Sequence, residues 1–154
     1  MITKIVSGGQ TGVDRAALDV ALELGVECGG WCPLGRRAED GPISEKYPLQ
    51  ETTWSGYPQR TEWNVRDSDG TLILTVGELD KGTALTVKLA GKLKKPHLVV
   101  DLADADPIPV ILEWIAEMEI QTLNVAGSRE SSSPGIHHQA CELLRALLAE
   151  VSSH

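Results

Sequence analysis

Residues 7–15 read SGGQTGVDR, a run whose residue types suit the capture of an anion. Gly8, Gly9 and Gly12 let a ligand approach the backbone, Gln10 and Thr11 offer side-chain donors, and Arg15 can fork onto a phosphate or carboxylate. A plain tight turn fits the same residues, with Thr11 and Asp14 serving as a capping box. Two further runs have the same character. GELDKGT brings Gly82 and Thr83, and GSRESSSPG brings Gly127, Arg129, Ser131, Ser133 and Gly135. For Arg15 and Arg129 an ion pair, with Asp14 or Glu130, is the alternative to a ligand. Neither the G-x-x-x-x-G-K-[ST] loop nor G-x-G-x-x-G occurs, which weighs against ATP hydrolysis and nicotinamide chemistry.

The elements that must position these runs follow from pattern. An apolar strand over 2–6 leads into the first run, and a helix over 14–24 leaves it, with Gly25 as its C-cap. Strands are expected at 26–31, 71–76, 97–101 and 121–126. Helices are expected at 61–68, 83–94, from 108 to about 118, and from Pro134 to about 151, with Ser133 as its N-cap. Strands alternating with helices build an α/β fold: a Rossmann-like three-layer sandwich, with a mostly parallel five-stranded sheet and helices on both faces. Ligands in such sheets sit beyond the carboxyl ends of the strands, where strand order reverses, and all three runs leave such ends.

Residues 33–60 show no helical or strand period and hold four of the eight prolines, with two Tyr and one Trp. This segment is expected as an ordered lid that folds onto a single domain spanning 1–154. Its Arg36 and Arg37 could close over an anion or stay solvated. Its Glu39 and Asp40 could act as acids or bases, or stabilise the lid.

The formal net charge of -8 argues against nucleic acid or an anionic membrane as partner. No apolar run reaches membrane-spanning length, and three cysteines without a signal-type N-terminus suit reduced thiols in a cytoplasmic protein. Cys28 and Cys32 have three residues between them rather than two, and His137 and His138 are adjacent, so no protein-ligated metal is expected.

The strings SGGQTGVDRAALDVAL, GWCPLGRRAEDGPISEKYPLQET, RTEWNVRDSDGTLIL, KGTALT, KPHLVVDL and NVAGSRESSSPGI resemble the family of molybdenum carriers. These are YpsA-like proteins in a circularly permuted branch of the SLOG superfamily, related to the LOG and lysine-decarboxylase-like Rossmann proteins. The resemblance implies binding of a small phosphorylated ligand, either molybdenum cofactor or a nucleotide, by a homo-oligomer such as a dimer or tetramer. It implies that Gly8, Gly9 and Gly12 form a first phosphate loop, and that Gly82 and Thr83 match the Gly-Thr of P-G-G-x-G-T-x-x-E. The Glu of that motif falls on Thr86, and Glu78-Leu79-Asp80 replaces its lead. A threonine cannot supply the carboxylate that supports glycosidic cleavage, so a binder is favoured and no catalytic residue is assigned. The alternatives are a nucleotide sensor or a nucleotide-processing hydrolase using Asp14 or Glu39. On the binding reading, Gly9→Val abolishes ligand binding and leaves the fold soluble, with residues 31–47 covering the ring of the ligand.

Overall fold

The computed structural model describes residues 1–152. Its main sheet is formed by β1 (Lys4–Val6), β2 (Glu27–Gly29), β5 (Gly70–Thr75), β6 (His97–Asp101) and β7 (Thr122–Gly127). A separate two-stranded ribbon pairs β3 (Trp31–Cys32) with β4 (Gln50–Glu51). The helices are α1 (Val13–Leu24), α2 (Tyr57–Arg66), α3 (Lys81–Lys92), α4 (Ile108–Glu117) and α5 (Ile136–Val151). The main sheet runs in the order β2-β1-β7-β5-β6, and every pairing in it is parallel. The expected α/β architecture is therefore present, with five parallel strands and helices on both faces.

Strand order explains which helix lies where. The β1–α1–β2 crossover moves outward in one direction and the β5–α3–β6 crossover in the other. Right-handed crossovers then place α1 and α3 on opposite faces. Accordingly α1 packs on α5 and α5 on α4, while α2 packs on α3. The last strand returns to the middle, so the carboxyl ends of β1, β7 and β5 lie side by side at the point where strand order reverses.

Composition fits this packing. β5 is buried along its whole length, as a central parallel strand should be, with Leu72, Ile73 and Leu74 fully enclosed. On α1, small Ala16, Ala17 and Ala21 let the helix sit close beneath Leu144, Leu147 and Leu148 of α5, all in one core. Each large aliphatic in that core contributes about 1.5–3 kcal/mol by leaving water.

The sheet-end loops are drawn together by close backbone contact. Gly12 has φ 79°, and a Cβ there would lie 2.3 Å from the Ser128 carbonyl oxygen. A Cβ on Gly127 would lie 2.1 Å from the Leu74 carbonyl oxygen. The Ser7 hydroxyl sits between the Asp14 and Val125 carbonyls at 3.0 and 2.9 Å, and the Thr75 and Ser128 hydroxyls meet at 3.3 Å.

Several element boundaries depart from the sequence pattern. The strand expected at 26–31 breaks at Gly30, after which Trp31 and Cys32 leave the main sheet to pair with β4. Helix α2 starts at Tyr57 rather than 61, and α3 starts at Lys81 rather than 83 because Asp80 accepts the Thr83 N–H at 2.8 Å as its N-cap. Helix α5 starts at Ile136 rather than Pro134, so Ser133 is not its cap. The Glu130 carboxylate takes that role, accepting the Gly135 and His137 N–H groups at 2.6 and 3.0 Å. The capping box at α1 does not form either, because the Thr11 hydroxyl bonds to Glu39.

The segment from 33 to 56 packs against α1. Ala38, Ile43, Tyr47 and Leu49 enclose a small second core with Leu18 and Cys32. Arg36 is its internal strut, donating to the carbonyls of Ile43, Ser44, Tyr47 and Leu49. It is therefore neither an anion clasp nor a solvated side chain.

These contacts separate two kinds of glycine. Gly127→Ala is expected to lower unfolding free energy by more than about 2 kcal/mol, since the new methyl must displace backbone. Gly91→Ala, in α3 with nothing within 4 Å of a new Cβ, is expected to raise it by roughly 0.5–1 kcal/mol. Urea unfolding of both variants measures the contrast.

Candidate functional site

A cavity of about 280 Å³ opens where the three strand ends meet. Its walls come from the first loop (Gly8, Gln10, Asp14), the α2 face (Tyr57, Pro58, Arg60, Thr61, Asn64), the start of α3 (Asp80, Lys81, Gly82, Leu85, Thr86) and the end of β7 (Asn124 to Gly127, with Arg129). A chain that alternates strand and helix leaves this place to loops and helix starts, whose N–H groups and polar side chains are not used up by the sheet.

At its floor, Arg60 donates to the Gly8 carbonyl at 2.9 Å and to Asp14 at 3.3 Å. Both side chains of this pair are only 10% exposed. A Cβ on Gly8 would lie 2.1 Å from Arg60 Nη1, so this glycine makes room for a guanidinium of the chain itself. Burial pushes the Asp14 carboxyl up to about 6, with Arg60 and the Gln10 backbone N–H opposing and Asp80 reinforcing the shift. Asn64 spends both ends of its amide on the Trp31 backbone, at 2.8 and 3.0 Å, and so holds β3 to α2. Asn124 donates to Thr71 at 3.2 Å. The Thr86 hydroxyl donates to the Gly82 carbonyl at 3.1 Å, which leaves no acid on that side of α3 at the motif position.

Gln10 differs from its neighbours. Its side-chain oxygen accepts from the Thr11 and Glu39 backbone N–H groups at 3.1 and 2.9 Å. Its buried Nε2 has no partner among the described residues; the residue is 4% exposed and other parts of it line the cavity. A buried donor left unpaired costs about 1–3 kcal/mol, which the two hydrogen bonds accepted by the same amide offset in part.

Of the residues expected to hold a ligand, Gly8, Gln10, Gly82, Gly127 and Arg129 line this cavity. Thr11, Gly12, Arg15 and Ser131 line a second, open depression on the other side of the loop, with Glu39, Asp40, Glu130 and His137. There the donors are already engaged. Glu39 accepts from the Thr11 hydroxyl, from Ser131 Oγ at 2.5 Å and from Ser131 N at 3.2 Å, with Arg129 at 3.9 Å. Burial opposes its charge, but the Ser131 and Thr11 hydrogen bonds hold its pKa below the usual carboxylate range. Arg15 pairs with Asp40, not with Asp14 or Glu130, and donates to the Gly9 carbonyl at 2.9 Å.

Gly9 faces the segment from 33 to 56. Its φ is 80°, and a Cβ there would lie 2.7 and 2.8 Å from Leu49 and Ile43. Gly9→Val would therefore unseat that segment and is no clean test of ligand binding. Thr83 is buried in the first turn of α3, its hydroxyl without a partner among the described residues, while Ser133 and Gly135 lie outside both depressions, in the turn that Glu130 caps. The α2 face, not residues 31–47, covers the cavity. Arg60 and Asn64 are its main contributors that were not singled out as site residues: they lie about 50 residues from the first loop, inside the string RTEWNVRDSDGTLIL, whose residue types spell no ligand-binding spacing.

Tyr57 stands at the cavity wall with three guanidiniums near its ring: Arg37 at 5.0 Å, Arg60 at 5.3 Å and Arg129 at 5.6 Å from the centroid. Cys28, Cys32 and Cys141 are unpaired thiols outside the cavity, each with its pKa raised by burial.

The family model for the circularly permutated YpsA SLOG family matches residues 5–148. The chain belongs to this family. A crystal structure from Syntrophus aciditrophicus SB, of a protein named there as a putative molybdenum carrier protein, is 49% identical. That match has a TM-score of 0.93 and covers 96% of this chain and 95% of the other. No curated protein matches the chain. The family match spans the first loop, α2 and the end of β7, so the cavity walls lie within the matched residues. None of the described helices is long and apolar enough to cross a membrane.

The buried Asp14 gives a pH test with a definite sign. Its folded pKa lies above its unfolded value, so the folded state holds the proton more tightly and stability falls as pH rises from about 4 through about 6. The expected loss from this group is on the order of 3 kcal/mol. In Asp14→Asn this fall is absent. The difference in unfolding free energy between variant and wild type, measured in urea at pH 4 to 8, should change over that window and be flat on either side.

Proposed function

We propose that the cavity binds a phosphorylated heterocyclic small molecule, with molybdenum cofactor the ligand suggested by the name of the Syntrophus relative. What supports this reading is the place and lining of the cavity: it opens where strand order reverses, and Arg60, Lys81 and Arg129 line it beside the first loop. At about 280 Å³ the cavity stands near the lower end of small-molecule sites, roughly 300–1,000 Å³, which suits one ring system inside and a charged group at the mouth.

The donor set also bears on the metal. The lining offers nitrogen and oxygen groups and no thiol, so a molybdenum ion would travel in the dithiolene of its own pterin rather than on protein sulfur. The charge of Lys81, Arg60 and Arg129 against Asp14 and Asp80 favours an anionic cargo.

One observation favours a second reading, a nucleotide-processing hydrolase. Asp14 lies in the cavity with its carboxyl raised to about 6, in the range where a side chain can give or take a proton near neutrality. Against it, Thr86 occupies the position where the related hydrolases carry a glutamate.

Native mass spectrometry of the protein purified without oxygen tests the two readings. A bound molybdopterin mass is the expected outcome. A bound nucleotide, together with release of free base from nucleoside monophosphates that is lost in Asp14→Asn, would replace the carrier reading with the hydrolase.

A further inference from the structure

We propose that Arg37, Arg60 and Arg129, gathered round Tyr57, form the clamp for a doubly charged phosphate on the ligand. This inference rests on the binding reading above and assigns its anionic part to the Tyr57 side of the cavity rather than to the glycine-rich loops.

The loops are poor candidates because the chain has filled them with its own carboxylates. Asp80 occupies the first turn of α3, Glu130 the first turn of α5, and Glu39 the Thr11 and Ser131 donors. Helix α2 is different. Its N-cap is Gly56, with no side-chain cap, and its first turn holds no acid. Tyr57 and Pro58 of that turn line the cavity, so the positive end of α2 is left open at the same mouth.

The charge balance there is unusual for a chain of net charge -8. Three guanidiniums lie within 5.6 Å of one ring centroid. Arg60 is paired with Asp14, and Arg129 is only loosely paired with Glu39 at 3.9 Å. Among the described residues no carboxylate pairs with Arg37, whose one hydrogen bond goes to the Ser55 carbonyl at 3.2 Å. Like charges brought together repel, and the face of Tyr57 offsets this only in part. A dianion would complete the set, and guanidiniums match the geometry of phosphate oxygens. The chemical class is thus a phosphomonoester or diphosphate on a ring that enters the cavity. Arg37, which does not itself line the cavity, joins the set from the segment at 33–56 through its place at the Tyr57 ring.

Isothermal titration calorimetry with pyrophosphate, AMP and adenosine tests this, with urea midpoints confirming that each variant is folded. The wild type is expected to bind pyrophosphate with an affinity that falls as sodium chloride is raised. Arg37→Ala and Arg129→Ala should each weaken it by about tenfold, the loss of one charge-assisted hydrogen-bonding group. Arg37→Lys should recover part of that loss. Arg66→Ala is the control, because Arg66 stacks on Trp63 at 5.0 Å and pairs with Asp67, away from the cavity lining. It should bind like wild type. Wild-type affinity for pyrophosphate in both alanine variants would overturn the clamp, as would no pyrophosphate binding by the wild type. If AMP and adenosine bind equally well while pyrophosphate does not, the clamp fails and ring binding survives. If pyrophosphate binds through the arginines and AMP gains nothing over it, the clamp stands and ring binding by the cavity fails.

Discussion

The contact on which this structure turns is the near-touching of two backbones, the first loop and the exit from β7. Val13 donates to the Ser128 carbonyl at 3.2 Å, and Gly12 has no space for a side chain beside the same oxygen. Because the loop is held there, α1 begins at Val13, and Asp14 in its first turn faces the cavity rather than solvent. Ser7 is locked between the Asp14 and Val125 carbonyls by the same approach. Gly8 then has Arg60 against it from the opposite face of the sheet, which closes the cavity floor. One side chain larger than hydrogen at Gly12 would move each of these groups.

A second theme is where the acidic residues go. Net charge of -8 reads as a solvated acidic surface, yet several carboxylates are bound to donors that ordinarily receive a ligand. Asp40 takes Arg15, Glu39 takes Thr11 and Ser131, Glu130 takes the start of α5, and Asp80 the start of α3. Two of these acids, Glu39 and Asp40, come from the segment at 33–56, so they also fasten that segment over the first loop. The donors of the open depression they line are consequently engaged within the protein. The cavity on the other side is lined instead by the cationic Arg60, Lys81 and Arg129.

Local pattern was a good guide wherever a segment's burial is uniform along its length. β5, enclosed on both faces, reads as a continuous apolar run, and the helix containing Ile108, Ile111 and Ile115 shows its period plainly. Alternation of such elements led to the parallel sheet, because short crossovers leave few other ways to bury them. Pattern failed where a partner distant in the chain decides the outcome. Gly30 turns β3 out of the sheet to meet β4 some twenty residues later, and Glu130 caps α5 in place of the nearer Ser133.

By itself, then, the sequence determined the fold class, the three loops at the strand ends and five of the cavity-lining residues: Gly8, Gln10, Gly82, Gly127 and Arg129. Those follow from residue type and from neighbours a few positions away. Only the tertiary structure decided which loop donors are free and which are taken, since that depends on carboxylates arriving from 28 or 92 positions off in sequence. It alone brought Arg60 to Asp14 across 46 residues and set three arginines about Tyr57. The physical reason is the same in each case: a hydrogen bond or ion pair depends on distance in space, and strand order sets that distance where the local pattern cannot.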